Sequence, residues 1–219
     1  MSLPSLTIVI PALNAAPSLP ACLTALEGGD ILLVDGGSDD ATPAIARQAG
    51  ATVIAAPGGR GAQLAAGADA AAGEWLLFLH ADTVLSPGWP SAAADLMAGA
   101  GDRAGYFRLA FDDPAFSAIA DAANWRSQAL GLPYGDQGLL IHKDFYRALG
   151  GYRPLPLMED VDLVRRIGRA RLVELQAVAT TSATRYRRDG AMRRVCRNLC
   201  CLGLYFLGVS PRQIARLYR

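Results

Sequence analysis

Four short apolar runs, each followed by a stretch of helical spacing, constrain this chain more than any other feature. They are LTIVIPALN (6–14), DILLVDGGSDDAT (30–42), ATVIAAP (51–57) and WLLFLH (75–80). Runs so short and so rich in branched aliphatic residues read as strands buried on both faces. Helical spacing follows over 17–26, then in a segment capped by Asp39 or Asp40 and ended by Gly50, then over 62–72. Strand and helix alternating through short connections predict an α/β fold with a mostly parallel central sheet flanked by helices. At 219 residues and 52% hydrophobic content, the chain can bury one substantial core and is not disordered.

Beyond Asp82 the rhythm loosens. A helix is predicted over 87–98, and a strand exposed on one face over 105–111. Next come a helix over 114–130, a loop feeding a strand over 133–142, a loop and helix over 155–169, a strand over 171–178, and one or two helices from about 190. No internal repeat or low-complexity linker interrupts the series.

Charge and cysteine use narrow the function classes. A net charge of +1 gives no global reason to bind nucleic acid. The basic residues are almost all arginine, and nine of them fall between Arg185 and Arg219 against one acid, Asp189. The four cysteines form no CxxC pair, which argues against a disulfide framework or structural zinc and fits a reducing, cytoplasmic setting. Residues 6–10 are too short for a signal-peptide core, and the apolar run 199–209 is too short to span a bilayer.

Open α/β sheets bind ligands beyond the carboxyl ends of their strands. Asn14, Asp35 and Asp82 stand at such ends, so three polar termini outline a rim. Each acid also has a structural reading as a helix cap. DGGSDD is not a phosphate-binding glycine fingerprint, and its acids would repel a pyrophosphate. Asp35 is better suited to the N–H or O–H groups of a base or ribose. Arg60, in GGRG, could meet phosphate or carboxylate in bidentate fashion, or lie solvated on the surface. Asp82 offers the oxygen that Mg²⁺ or Mn²⁺ prefers, and one carboxylate is enough if a diphosphate supplies the remaining ligands. His80 could touch nucleotide or metal, or be satisfied by backbone. In MEDVD (158–162), the adjacent acids Glu159 and Asp160 repel, which can lift one of them towards the range of a general base.

Taken in order, VIPALNA (9–15), LLVDGGSDDAT (32–42), GRGAQLAAGA (59–68), FLHADT (78–83), GDQG (135–138) and MEDVDL (158–163) resemble the family-2 glycosyltransferases with the GT-A, nucleotide-diphospho-sugar transferase, fold. The resemblance covers about residues 5–190 and is greatest to the small bacterial "transferase 2, rSAM/selenodomain-associated" type. It implies an inverting, metal-dependent transfer of a sugar from a nucleotide diphosphate, UDP by family default, to a hydroxyl acceptor. It places Asp35 on the nucleobase, with Pro11, Ala12, Asn14 and Ser38 in the nucleotide pocket, and Arg60 and His80 on the donor. Asp82 inherits the metal role of the family's DxD element, whose first acid is here His80. Gly135, Asp136 and Gln137 would face the acceptor, and Asp160, beside Glu159, maps to the base. The processive QxxRW motif is missing from TSATRYRRDG (181–190), which favours single transfers.

Two rival readings remain. A sugar-phosphate nucleotidyltransferase would want a glycine- and basic-rich first loop, which PALNAAPSLPA does not provide. A binding module or inactive relative is motivated by His80. A GT-A domain over 1–189 is expected to carry a basic amphipathic extension over 190–219. That extension could lie on the inner face of a membrane, suiting a lipid-linked acceptor, or pack on the core or in a homodimer.

Overall fold

The computed structural model describes residues 5–99 and 101–218. The chain runs β1 (Leu6–Ala12), α1 (Leu19–Thr24), β2 (Asp30–Asp35), α2 (Thr42–Gln48), β3 (Thr52–Ala55), α3 (Arg60–Ala70), β4 (Trp75–Phe78), β5 (Thr83–Leu85), α4 (Trp89–Met97), β6 (Ala104–Phe111) and α5 (Ser117–Leu130). It continues through β7 (Leu139–His142), α6 (Lys143–Ala148), α7 (Glu159–Ile167), β8 (Leu172–Thr181), α8 (Thr184–Asp189), α9 (Ala191–Phe206) and α10 (Pro211–Tyr218).

Alternation along the strands builds two cores, because successive side chains in a strand point to opposite faces. Ile8, Ile10, Leu33 and Leu77 pack with Leu19 and Cys22 of α1, Ala46 of α2 and Trp89 of α4. Their neighbours Val9, Leu32, Val34, Leu76 and Phe78 pack on the other face against Leu64 of α3, Tyr146 of α6 and Leu163 of α7. Each fully buried aliphatic side chain contributes about 1.5–3 kcal/mol.

The strands form one sheet in the order β3-β2-β1-β4-β7-β6-β8-β5. β1 to β4 are parallel, with Ala12 beside Asp35 and Val9 beside Phe78. The chain winds outward from β1 to β3 and then returns to β1's other side as β4. This reversal opens a crevice at the carboxyl edge, where such sheets bind ligands. β7 then runs antiparallel to β4, pairing Leu139 with Phe78, so residues 135–137 arrive beside the end of β4. β5 pairs antiparallel with β8, matching Thr83 to Thr181, which brings the start of α8 next to Asp82.

Two sequence expectations are corrected. β6 is not exposed on one face: Ala104, Tyr106, Phe107 and Leu109 are buried, because the strand lies between β7 and β8 and under α4 and α5. The short β5 follows directly on the polar stretch after β4, and α6 follows directly on β7; neither element was expected. The C-terminal helices pack on the rest of the chain, where Cys201 and Ile214 share a buried cluster with Leu132, Met158, Val161 and Val164. Among the described residues, no helix is long and apolar enough to cross a membrane.

Candidate active site

The carboxyl ends of β1 and β2 are locked by side-chain hydrogen bonds. The Asp35 carboxylate accepts from the Gly37 and Ser38 amides and, at 2.6 Å, from the Ser38 hydroxyl. Ser38 Oγ accepts from the Asn14 amide, and Asn14 Oδ1 from the Asp39 amide. Asn14 can serve this way because it takes the left-handed conformation, φ +50°, that asparagine tolerates. Beneath them Gln63 of α3, buried, donates to both Ala12 O and Val34 O at 2.8 Å. Pro11 and Ala12 are buried and can present only backbone and ring edge to a ligand. Asn14, Asp35 and Ser38 therefore form one preorganised rim.

A second group gathers at the end of β4. A cleft with ≈ 820 Å³ of empty space, part of it open to solvent, is lined by Arg60, His80, Asp82, Gly135, Asp136 and Asp160. Part of its wall comes from Arg185, Tyr186, Arg194, Asn198 and Tyr218 of the C-terminal helices. The β1–β2 rim is not part of this cleft's lining.

Arg60 organises the cleft. Its Nε donates to Glu159, its Nη2 lies 3.7 Å from Asp160, and its Nη1 lies 3.2 Å from His80 Nε2. Burial works against its charge, but the two carboxylates outweigh this and raise its pKa, so it stays charged. A guanidinium only donates, so His80 Nε2 accepts and the ring proton sits on Nδ1. Burial, and then the charges of Arg60 and Arg185, push the imidazole well below its ordinary pKa, which makes it neutral near pH 7. His80 is thus a neutral partner of Arg60 and does not offer Nε2 to a metal.

Two glycines make these contacts possible. A Cβ on Gly61 would lie 2.6 Å from Arg153 O, so only glycine lets the first turn of α3 press against the 153–155 loop. A Cβ on Gly135 would lie 2.6 Å from His80 Nε2. The Gly135 amide instead donates to Asp160 Oδ2 at 3.0 Å, while Oδ1 accepts from the Val161 amide. Asp160 is aimed by the turn before α7, where Met158 holds φ +66°, a left-handed conformation uncommon for a non-glycine residue.

Two predicted site residues have other positions. Glu159 is not in the main cleft. It is 1% exposed behind Arg60, and burial raises its pKa against the opposing pull of that arginine. It holds Arg60 in place. Gln137 does not line the main cleft either. It is fully buried, accepts from the Ser127 hydroxyl at 2.6 Å, and donates to Phe107 O, pinning the 135–137 turn to β6 and α5. Asp136 does line the cleft, and its Oδ1 is buried with no hydrogen-bond partner among the described residues. Burial raises its pKa, Arg126 opposes, and Asp160 and Asp82 add to the rise.

Asp82 is partly exposed, with Arg185 Nη2 3.9 Å from its Oδ2. Among the described residues, no group of three His, Cys, Asp or Glu could hold a metal by itself. The donor set fits an ion shared between Asp82 and a diphosphate, because such an ion takes one or two carboxylates and completes its shell from phosphate and water.

The profile of "Glycosyl transferase family 2" matches residues 7–123. PGL/p-HBAD biosynthesis glycosyltransferases of Mycobacterium bovis and Mycobacterium tuberculosis are 41% identical over 103 aligned residues, covering 39% of this chain and 38% of each relative. The chain therefore spans well under half the length of those curated relatives. Among solved structures, the mannosyltransferase PcManGT from Pyrobaculum calidifontis, in complex with GDP-Man and Mn²⁺, superposes with a TM-score of 0.65 at 17% identity, over 81% of this chain and 56% of that one. Glucosyl-3-phosphoglycerate synthase from Mycobacterium tuberculosis, with Mn²⁺, UDP and glucosyl-3-phosphoglycerate, gives a TM-score of 0.58 at 18% identity, over 82% of this chain and 70% of that one. Their likeness is one of fold.

Proposed function

From its membership of glycosyl transferase family 2, to which this GT-A chain belongs, we propose that the protein transfers a sugar from a nucleotide diphosphate to an acceptor hydroxyl, with inversion. One observation carries this reading. Asp82 and Asp160, far apart in sequence, line the same cleft as Arg60 and Arg185. A carboxylate for the acceptor proton and guanidiniums for a diphosphate are the parts that a direct displacement needs.

In this reading the β1–β2 rim receives the nucleoside. Asp35 takes N–H or O–H groups of base or ribose, with Asn14, Ser38, Pro11 and Ala12 around it. Arg60 and Arg185 meet the diphosphate, whose leaving charge they offset. Asp160 accepts the acceptor's hydroxyl proton as that oxygen bonds to the anomeric carbon and the bond to the diphosphate breaks. Two backbone amides and Arg60 hold Asp160 in position for that step. His80, neutral, keeps Arg60 oriented. Gly135 and Asp136 border the acceptor. A Mg²⁺ or Mn²⁺ ion held by Asp82 and the diphosphate would supply Lewis-acid stabilisation of the leaving group.

UDP-sugars are the first donors to test, with GDP-mannose beside them, since the solved relatives carry both nucleotides. Isothermal titration with UDP and GDP, with and without Mn²⁺, tests donor binding. A screen of nucleotide-sugars for hydrolysis then identifies the sugar. If neither nucleotide diphosphate binds, the transferase reading fails. His80 favours one second reading, a relative that binds nucleotide-sugar without turnover, because it stands where the family has an acid. Tight binding with no hydrolysis or transfer across the screen would select that reading.

A further inference from the structure

We propose that the outward face of α9 docks on an anionic lipid bilayer. A helix on a protein surface ordinarily turns its apolar stripe inward and its polar face to water. α9 carries apolar residues on both sides. Arg194 and Cys201 are buried on its inner face. On the opposite side Met192, Leu199 and Phe206, spaced by seven, are 75%, 61% and 50% exposed. Cys196 is exposed on the same stripe, and Leu207, just past the helix end, is 82% exposed. At ~1.5 Å per residue the stripe is about 20 Å long.

The charge beside this stripe selects the occupant. Arg193 is exposed next to Met192, and the Arg165 guanidinium lies 4.9 Å over the Phe206 ring, so arginine flanks both ends. The sequence from 190 to 219 contains no acid. The one acid just before it, Asp189, is taken by Arg188, Arg194 and Arg197. Stacking two copies along this stripe would set arginines against arginines with no carboxylate to receive them. Lipid phosphates receive them directly, since basic residues are attracted to an anionic surface. The apolar stripe would sink to the level of the acyl boundary with the helix lying in the membrane plane, as basic amphipathic helices do.

The inner face of the same helix supplies Arg194 and Asn198 to the cleft, so docking would hold the cleft close to the lipid surface. The proposal does not rest on the catalytic reading, and its test needs no nucleotide. The full chain is sedimented with phosphatidylcholine vesicles, with and without phosphatidylglycerol. Binding is expected only with phosphatidylglycerol, falling at least tenfold in Leu199→Glu and in Phe206→Glu. A several-fold loss is expected in the Arg165→Gln, Arg193→Gln double variant and in high salt. Circular dichroism and thermal unfolding confirm that each variant is folded. No binding to phosphatidylglycerol vesicles, or equal binding by the folded Leu199→Glu protein, overturns the proposal. A dimer in sedimentation equilibrium that Leu199→Glu dissolves would also overturn it, assigning the face to a second copy.

Discussion

Arg60 and Glu159 form an ion pair across 99 positions of sequence, joining the first residue of α3 to the first residue of α7. The carboxylate is 1% exposed, while the arginine side chain is 35% exposed at the cleft wall. The pair therefore has a dry end and a wet end. Its partners His80 and Asp160 complete a cluster in which one guanidinium sets the position of three side chains.

Removing the buried partner should loosen that whole cluster. Glu159→Gln keeps the shape but leaves Arg60 without its anchoring charge. Losing one member of a fully buried pair costs about 3–5 kcal/mol, and the wet end of this one reduces the expected loss to roughly 2 kcal/mol. Urea unfolding measures it, and a variant as stable as the parent would show that the pair does not hold α3 to α7. The same variant should lose nucleotide-diphosphate affinity, because Arg60 is no longer aimed.

Asp160→Asn separates binding from chemistry. The asparagine keeps a carbonyl oxygen for the Gly135 amide, so the turn before β7 should stay in place and donor affinity should change little. Transfer should fall by about 10²–10⁴, the range for losing a general base. Titration with nucleotide diphosphate and a turnover assay give the two readouts. Near-normal turnover would remove Asp160 from the base role.

For Asp82→Ala the pattern is reversed. Nucleotide-diphosphate affinity without metal should hold or rise slightly, since a negative charge near the phosphates is gone. The gain in affinity on adding Mn²⁺ should disappear. Isothermal titration in both conditions decides, and a variant that keeps the full Mn²⁺ effect would show that Asp82 is not the ligand.

Much of this site was legible because its residues sit where strong local patterns end. Asp35 closes an apolar run and Asp82 comes soon after one, and parallel strands carry such ends to one edge of the sheet. What stayed hidden depends on partners distant in sequence. Glu159 reads as a reactive acid until Arg60 is found against it. Gln137 reads as a loop residue until Ser127 and Phe107 O enclose it. Gln63, which ties β1 to β2, lies in a small-residue helix with nothing local to mark it. β5 is too short for periodicity to register, and is defined by its pairing with β8. On α9 the apolar pattern was visible, but not which stripe faces inward, nor that Arg194 and Asn198 belong to the cleft.

Asp136 should show a stability cost kept for function. Its Oδ1 is buried without a partner among the described residues, and burial raises its carboxyl pKa above the ordinary value. A folded-state pKa above the unfolded one means that folding disfavours the ionised form. The penalty is therefore present at pH above the raised pKa and is relieved as pH falls through it. Asparagine has no such charge, so Asp136→Asn should be more stable than the parent near pH 7. The gap should close as pH falls towards ~4, near the ordinary aspartate value, because the folded-state carboxyl takes up its proton at higher pH than the unfolded one. Urea midpoints of both proteins at the two pH values test this, and a gap that does not shrink with pH would show that charge is not the cause. The stabilised variant should also transfer more slowly at low acceptor concentration, as expected where a strained group is retained at a working site.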